Sequence, residues 1–182
     1  MPSNVQQLFE EHFQRGKQLR QQGRLADAET EFCNSVELVP ESARALNALG
    51  LVIKEQSREG EAIALFRRAI RCRQDYHSAW LNLGNTLSEI DQHDEAERCL
   101  RGAITIKPDY AVGWHDLGAW FEQRKRLTEA TDAYQRATVL QPEQPQFRAS
   151  LENARRHLCD WRSWPESLNE LLRVTRDCLD HH

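Results

Sequence analysis

The residues of this chain that could do chemistry are scattered, and their spacing limits what they could do. Glu10-Glu11-His12 and His93-Asp94-Glu95 set titratable groups side by side. A general acid or base needs a pKa moved by burial or by a close charge, and these positions lack the burial, so both triplets read as solvated helix faces. The five cysteines, Cys33, Cys72, Cys99, Cys159 and Cys178, are odd in number and form no Cys-x-x-Cys pair. Zinc sites and disulfide frameworks need clustered ligands, so these read as reduced, mostly buried apolar groups of a cytoplasmic protein. Neither a glycine-rich phosphate loop nor His-Glu-x-x-His occurs. The expectation is a chain with no catalytic residue, no metal and no cofactor. What remains is the amide chemistry of Asn47, Asn82 and Asn85, whose side chains carry donor and acceptor together and can pair with a peptide backbone of any sequence.

The elements that hold these residues repeat. Gly16, Gly50, Gly84 and Gly118 stand 34 residues apart. Ala28, Ala62, Ala96 and Ala130 keep the same period, as do the bulky Phe32, Phe66, Leu100 and Tyr134 and the small Ser35, Ala69, Ala103 and Ala137. Pro40, Pro108 and Pro142 close three of the four units, with Gln74 at the other. A fixed period of this length marks stacked supersecondary units, here 9–42, 43–76, 77–110 and 111–144. Each unit reads as helix A, a short turn such as Gln22-Gly23-Arg24, and helix B, ended by the proline. The A helices are expected near 3–22, 43–56, 77–90 and 111–124, and the B helices near 26–39, 60–72, 94–106 and 128–140. The glycine of helix A is expected to face the alanine of helix B, with larger groups such as Trp80 and Leu87 against Leu100. His12 and Arg15 break the pattern of the first unit, as an end unit with one face in water permits.

Residues 145–182 form the second expected region. Phe147, Leu151, Ala154 and Leu158 make one helical stripe, which predicts a capping helix over about 145–158. Ser163 and Pro165 start a further amphipathic helix to about 179, with Leu168, Leu171, Leu172 and Leu179 on its apolar side. The fold class is therefore all-α, with about ten helices and no sheet.

Trp80-Leu-Asn-Leu-Gly84 and Trp114-His-Asp-Leu-Gly118 carry a resemblance. Residues 9–144 resemble the tetratricopeptide repeat. The resemblance implies an α-solenoid, a right-handed superhelix of four helix pairs that binds a protein or peptide in a concave groove. It puts the second, fifth, sixth, ninth and twelfth positions of each repeat on that groove. Counted here, these include Phe13, Lys17 and Arg20; Arg44, Asn47 and Lys54; Ser78, Leu81, Asn82, Asn85 and Ser88; and His115, Asp116 and Glu122. The expected partner-binding set is Arg44, Asn47, Lys54, Asn82, Asn85, His115 and Asp116, with a charge gradient from Arg44 and Lys54 toward Asp116 and Glu122. The Lys and Asn pair of chaperone-tail clamps is absent: the corresponding pairs are Phe13/Lys17, Asn47/Leu51, Leu81/Asn85 and His115/Ala119.

The segment Leu158-Cys159-Asp160-Trp161 resembles the junction of O-linked N-acetylglucosamine transferases and their SPINDLY-like relatives. There the junction leads into a glycosyltransferase domain using a nucleotide sugar. Two readings stay open: a substrate-recognition part of such a transferase lacking its catalytic half, and a free-standing adaptor that assembles a complex or self-associates as a homodimer through its C-terminal helix. The 182 residues carry a net charge of −4, unlike the basic surfaces of nucleic-acid binders. No apolar run is long enough to span a membrane, so neither nucleic acid nor membrane is an expected partner.

Overall fold

A computed structural model describes residues 2–158, and every described element is a helix or a turn between helices. The expected helix at about 165–179, the Cys159-Asp160-Trp161 segment and the homodimer surface lie outside the described residues. The described residues divide into two compact units between Asp109 and Tyr110.

The first unit holds α1 (Pro2–Gln21), α2 (Leu25–Leu38), α3 (Ala43–Glu55), α4 (Glu59–Cys72), α5 (His77–Glu89) and α6 (His93–Ile106). These are three helix pairs, α1·α2, α3·α4 and α5·α6. Each pair packs on the next, with α3 touching α1, α2 and α5, and α5 also touching α4. The second unit holds α7 (Ala111–Gln123), α8 (Leu127–Leu140) and α9, over 145–158. Its helix pair and α9 thus form one packing body, with Ala111, Ala137 and Phe147 in a shared cluster against Trp114. All nine described helices fall within one or two residues of their expected bounds.

Small and large residues alternate where the backbones must approach. Ala28, Ala62, Ala96 and Ala130 have no exposed surface. The expected partner of the glycines was different, however. A Cβ on Gly16, Gly50, Gly84 or Gly118 would fall 2.9, 2.6, 2.8 or 2.7 Å from Phe32, Phe66, Leu100 or Tyr134 respectively. The glycine of helix A therefore makes room for the bulky residue of helix B, one turn beyond the alanine. Trp80, expected against Leu100, lies instead near Gly102, where a Cβ would come within 3.3 Å of its ring. Its Nε1 donates to the Gln74 carbonyl at 2.8 Å, so a half-buried indole keeps its polar atom satisfied.

The A–B turns carry another period. Gly23, Ser57, Asp91 and Lys125 are spaced by 34 residues and all have left-handed backbones, φ +74°, +59°, +60° and +60°. The turn geometry requires positive φ, and only the first unit uses the residue for which it costs least. The next residue precedes helix B: Arg24, Arg58 and Arg126 bind the acids three positions on, Asp27, Glu61 and Glu129. Those carboxylates lie in the first turn, where the helix dipole favours negative charge.

Candidate functional site

The A helices of the first unit run side by side, and polar side chains tie each to the next. Arg44 of α3 pairs with Glu10 of α1, and its guanidinium covers the Phe13 ring at 4.2 Å from the centroid. Arg20 of α1 donates to both oxygens of Glu55 of α3, at 2.5 to 3.1 Å. Asn82 of α5 donates from Nδ2 to Asn47 Oδ1 of α3 at 2.8 Å. Lys54 of α3 meets Glu89 of α5 at 2.8 Å. Each link joins residues 34 or 35 positions apart, the repeat length or one more. A stack with this period places equivalent side chains one above another, so complementary residues at one period can bond.

This geometry revises the expected site. Arg44 and Lys54 were read as the positive end of a gradient, but each already holds an acid from the neighbouring A helix. Asn47 is only 6% exposed and is a strut between α3 and α5 as well as a groove amide. Asn82 and Asn85 are half-buried on α5, and Thr86 donates to the Asn82 carbonyl at 2.7 Å. Phe13 and Leu81, counted on the groove, are buried. The fifth repeat position thus turns into the space between helices rather than toward solvent.

The titratable triplets are also partnered rather than freely solvated. His12 Nδ1 lies 2.6 Å from Glu31 of α2, joining the first helix pair. Hydrogen bonding from Gln14, then from Arg44, holds the Glu10 carboxyl below its usual range. Glu95 pairs with Arg67 of α4 at 2.8 Å. Among the cysteines, Cys99 is buried and its thiol is pushed up to about 11 by burial, while Cys72 is exposed, against expectation. Among the described residues no three His, Cys, Asp or Glu side chains are grouped to hold a metal ion, and no helix is long and apolar enough to cross a membrane.

In the second unit His115 is packed rather than presented. Its ring stacks on Phe147 of α9 at 4.9 Å, tilts against Tyr134 of α8 at 5.3 Å, and its Nε2 lies 3.0 Å from Ser150 Oγ. Asp116 lies 3.5 Å from His115 Nδ1. Glu122 accepts from Tyr134 Oη at 2.8 Å and from Asn153 at 3.3 Å, tying α7 to both other helices. Burial, with the bond to Glu122, pushes the Tyr134 hydroxyl well above the usual phenol range, so it donates rather than ionises. A cleft of about 760 Å³ adjoins these groups, with Ala119, Glu122, Gln123, Lys125, Leu127 and His157 among its lining.

The acids Glu10, Glu55 and Glu89 were absent from the sequence-derived site. Their signal was present: each stands 34 or 35 positions from a cation on another A helix.

Comparison with known proteins agrees with this stacking. Models of the tetratricopeptide repeat match residues 13–77 and 65–98. PilF of Pseudomonas aeruginosa is similar in structure, with a TM-score of 0.76 at 22% identity over 83% of this chain and 69% of that one. MamA gives a TM-score of 0.65 at 26% identity, over 78% of this chain and 81% of its own. Cut9, in a hetero-tetramer with Hcn1, gives 0.72 at 20% identity over 80% of this chain but only 29% of its own. No curated protein sequence matches the chain significantly. The helix pairs of this chain are tetratricopeptide repeats, in an all-α fold of solenoid type.

Proposed function

We propose that this tetratricopeptide-repeat chain is a non-catalytic scaffold that binds an extended segment of a partner protein along the A-helix face of its first unit. The observation that carries the reading is the Asn47–Asn82 pair with Asn85 beside it. Bonding to Asn47 orients the Asn82 amide, leaving its Oδ1 as an acceptor for a backbone N–H. An amide held in place loses less rotamer entropy when a ligand arrives. Backbone pairing of this kind needs no particular ligand sequence, so affinity should grow with segment length. The Cut9 neighbour, solved in a complex with Hcn1, fits a scaffold role by analogy of fold. The net charge of −4 suits a protein partner better than nucleic acid, and unpaired Cys33, Cys72 and Cys99 suit the cytoplasm.

A pull-down from native lysate with the wild type and the Asn82→Ala/Asn85→Ala variant tests this. Partner binding is expected to weaken by about 1–3 kcal/mol, through one or two lost hydrogen bonds. Because Asn82 also bonds buried Asn47, the variant should melt lower too, by about 1 kcal/mol of stability, so capture is compared well below its melting range. Equal capture of the same partners by both proteins overturns the reading.

A finer reading makes the chain the recognition part of a nucleotide-sugar transferase. Only the Leu158-Cys159-Asp160-Trp161 segment favours it. A transferase domain encoded after His182 would support it, and a stop codon there would remove it.

A further inference from the structure

We propose that the cleft between α1 and the end of α3 is a subsite for a carboxylate of the bound segment, a refinement that rests on the A-face binding reading. Lys17, Arg20, Gln21 and Glu55 line this space of about 300 Å³. Arg20 holds Glu55 through Nε and Nη2, which leaves both Nη1 hydrogens without an acceptor. Lys17 is exposed and makes no hydrogen bond or ion pair among the described residues. With Arg20 and Glu55 cancelling, the cleft carries one uncompensated positive charge and a surplus of donors: the Lys17 ammonium, the Arg20 Nη1 edge and the Gln21 amide. The other cations linking these A helices differ, since Arg44 and Lys54 are each already taken by an acid.

Glu55 shows what the subsite accepts. Its carboxylate sits in the bidentate geometry that a guanidinium favours, and an incoming carboxylate would bridge Lys17 and the open Nη1 edge beside it. Glu55 at the same time limits affinity by repelling that newcomer. Glu55 is eight residues along α3 from Asn47, about 12 Å of helix rise, which an extended segment spans with about four residues. One bound segment can therefore pair its backbone with the asparagines and place an acid here.

The experiment measures fluorescence anisotropy with labelled peptides of Gly, Ser and Ala. One carries spaced Glu residues, one has Gln in their place, both with amidated C-termini, and a third is the Gln peptide with a free C-terminal carboxylate. The protein is the full chain, as wild type, Lys17→Glu and Glu55→Gln, each checked for unchanged melting since both side chains are exposed.

The Glu peptide should bind about two- to fivefold tighter than the amidated Gln peptide at low salt, the range of an exposed ion pair, and salt should erase the difference. Lys17→Glu should abolish the preference and Glu55→Gln should enlarge it. Preference for the free-terminus peptide alone also supports the subsite and identifies its ligand as a chain end. Equal binding of all three peptides overturns the subsite while leaving the backbone reading intact. Preference unchanged in both variants, or no binding by any peptide, also overturns it; the backbone reading is then judged by capture with the asparagine variant.

Discussion

At the scale of single residues, the glycines of the A helices are placed by contact rather than by backbone freedom. They lie inside helices, where Ala is intrinsically better by about 1 kcal/mol. At Gly50 that gain is outweighed, because a Cβ would fall 2.6 Å from the Phe66 ring. Phe66 is fully buried and has little room to yield. Gly50→Ala should therefore destabilise by about 1–3 kcal/mol in urea unfolding, the usual cost of overpacking. Gly60, early in α4, has nothing within 4 Å of where its Cβ would be. Gly60→Ala should stabilise, by up to about 1 kcal/mol. Two variants of the same chemistry with opposite signs would isolate the contact, and a stabilised Gly50→Ala would show the helix crossing to be misplaced. The period of these glycines was legible in the sequence, but their partner was not. An alanine and a bulky residue one turn later lie on the same face of helix B, so spacing could not say which of them the glycine meets.

At the scale of elements, the A–B turn repeats its geometry more faithfully than its sequence. Ser57, Asp91 and Lys125 adopt the left-handed backbone that Gly23 adopts in the first unit. For a residue with a Cβ this costs about 1–2 kcal/mol, least for Asp, whose side chain tolerates the region. Replacing Ser57 with Gly should raise stability by about 0.5–1 kcal/mol, the relieved strain less the extra entropy of an unfolded glycine. Asp91→Gly should gain less, and thermal melts of the two rank them; an equal or reversed order would show that turn strain is not what the substitutions relieve. A turn search keyed to glycine finds only the first of these turns. The other three could be located only by counting 34 residues from it.

At the scale of the whole molecule, pH acts through groups whose protonation differs between folded and unfolded chains. Burial, with Lys107 and Arg73 nearby, lowers the His77 pKa, while Asp109 and Asp75 oppose the shift. The folded state therefore resists a proton that the unfolded chain accepts. Stability is unaffected above the ordinary histidine value of 6.5 and falls as pH drops below it, levelling off below the folded value. Glu10 acts in the same direction at lower pH: its depressed pKa contributes stability above the ordinary carboxylate value of 4.5 that is lost as pH falls. His77→Gln should flatten the fall in the urea midpoint that begins below about pH 6.5 and leave the later, acidic fall in place. A variant that loses stability with pH as the wild type does would assign the first fall to another group.

The sequence by itself determined the architecture: four helix pairs, the helix bounds and the buried alanines. These rest on local physics, since proline ends a helix and amphipathic periodicity places a face within one element. It also marked the asparagines of α3 and α5. Tertiary structure alone decided what those polar residues do. Asn47 could have faced solvent or a neighbour, and it is covered and bonded to Asn82. Arg44 and Lys54 looked like open charges until Glu10 and Glu89 met them, and His115 looked like a groove residue until Phe147 covered its ring. All of these depend on the rotation of one helix relative to another some 35 residues away, set by how side chains pack between them. Spacing within a helix fixes which residues share a face, and only packing between helices fixes what that face meets.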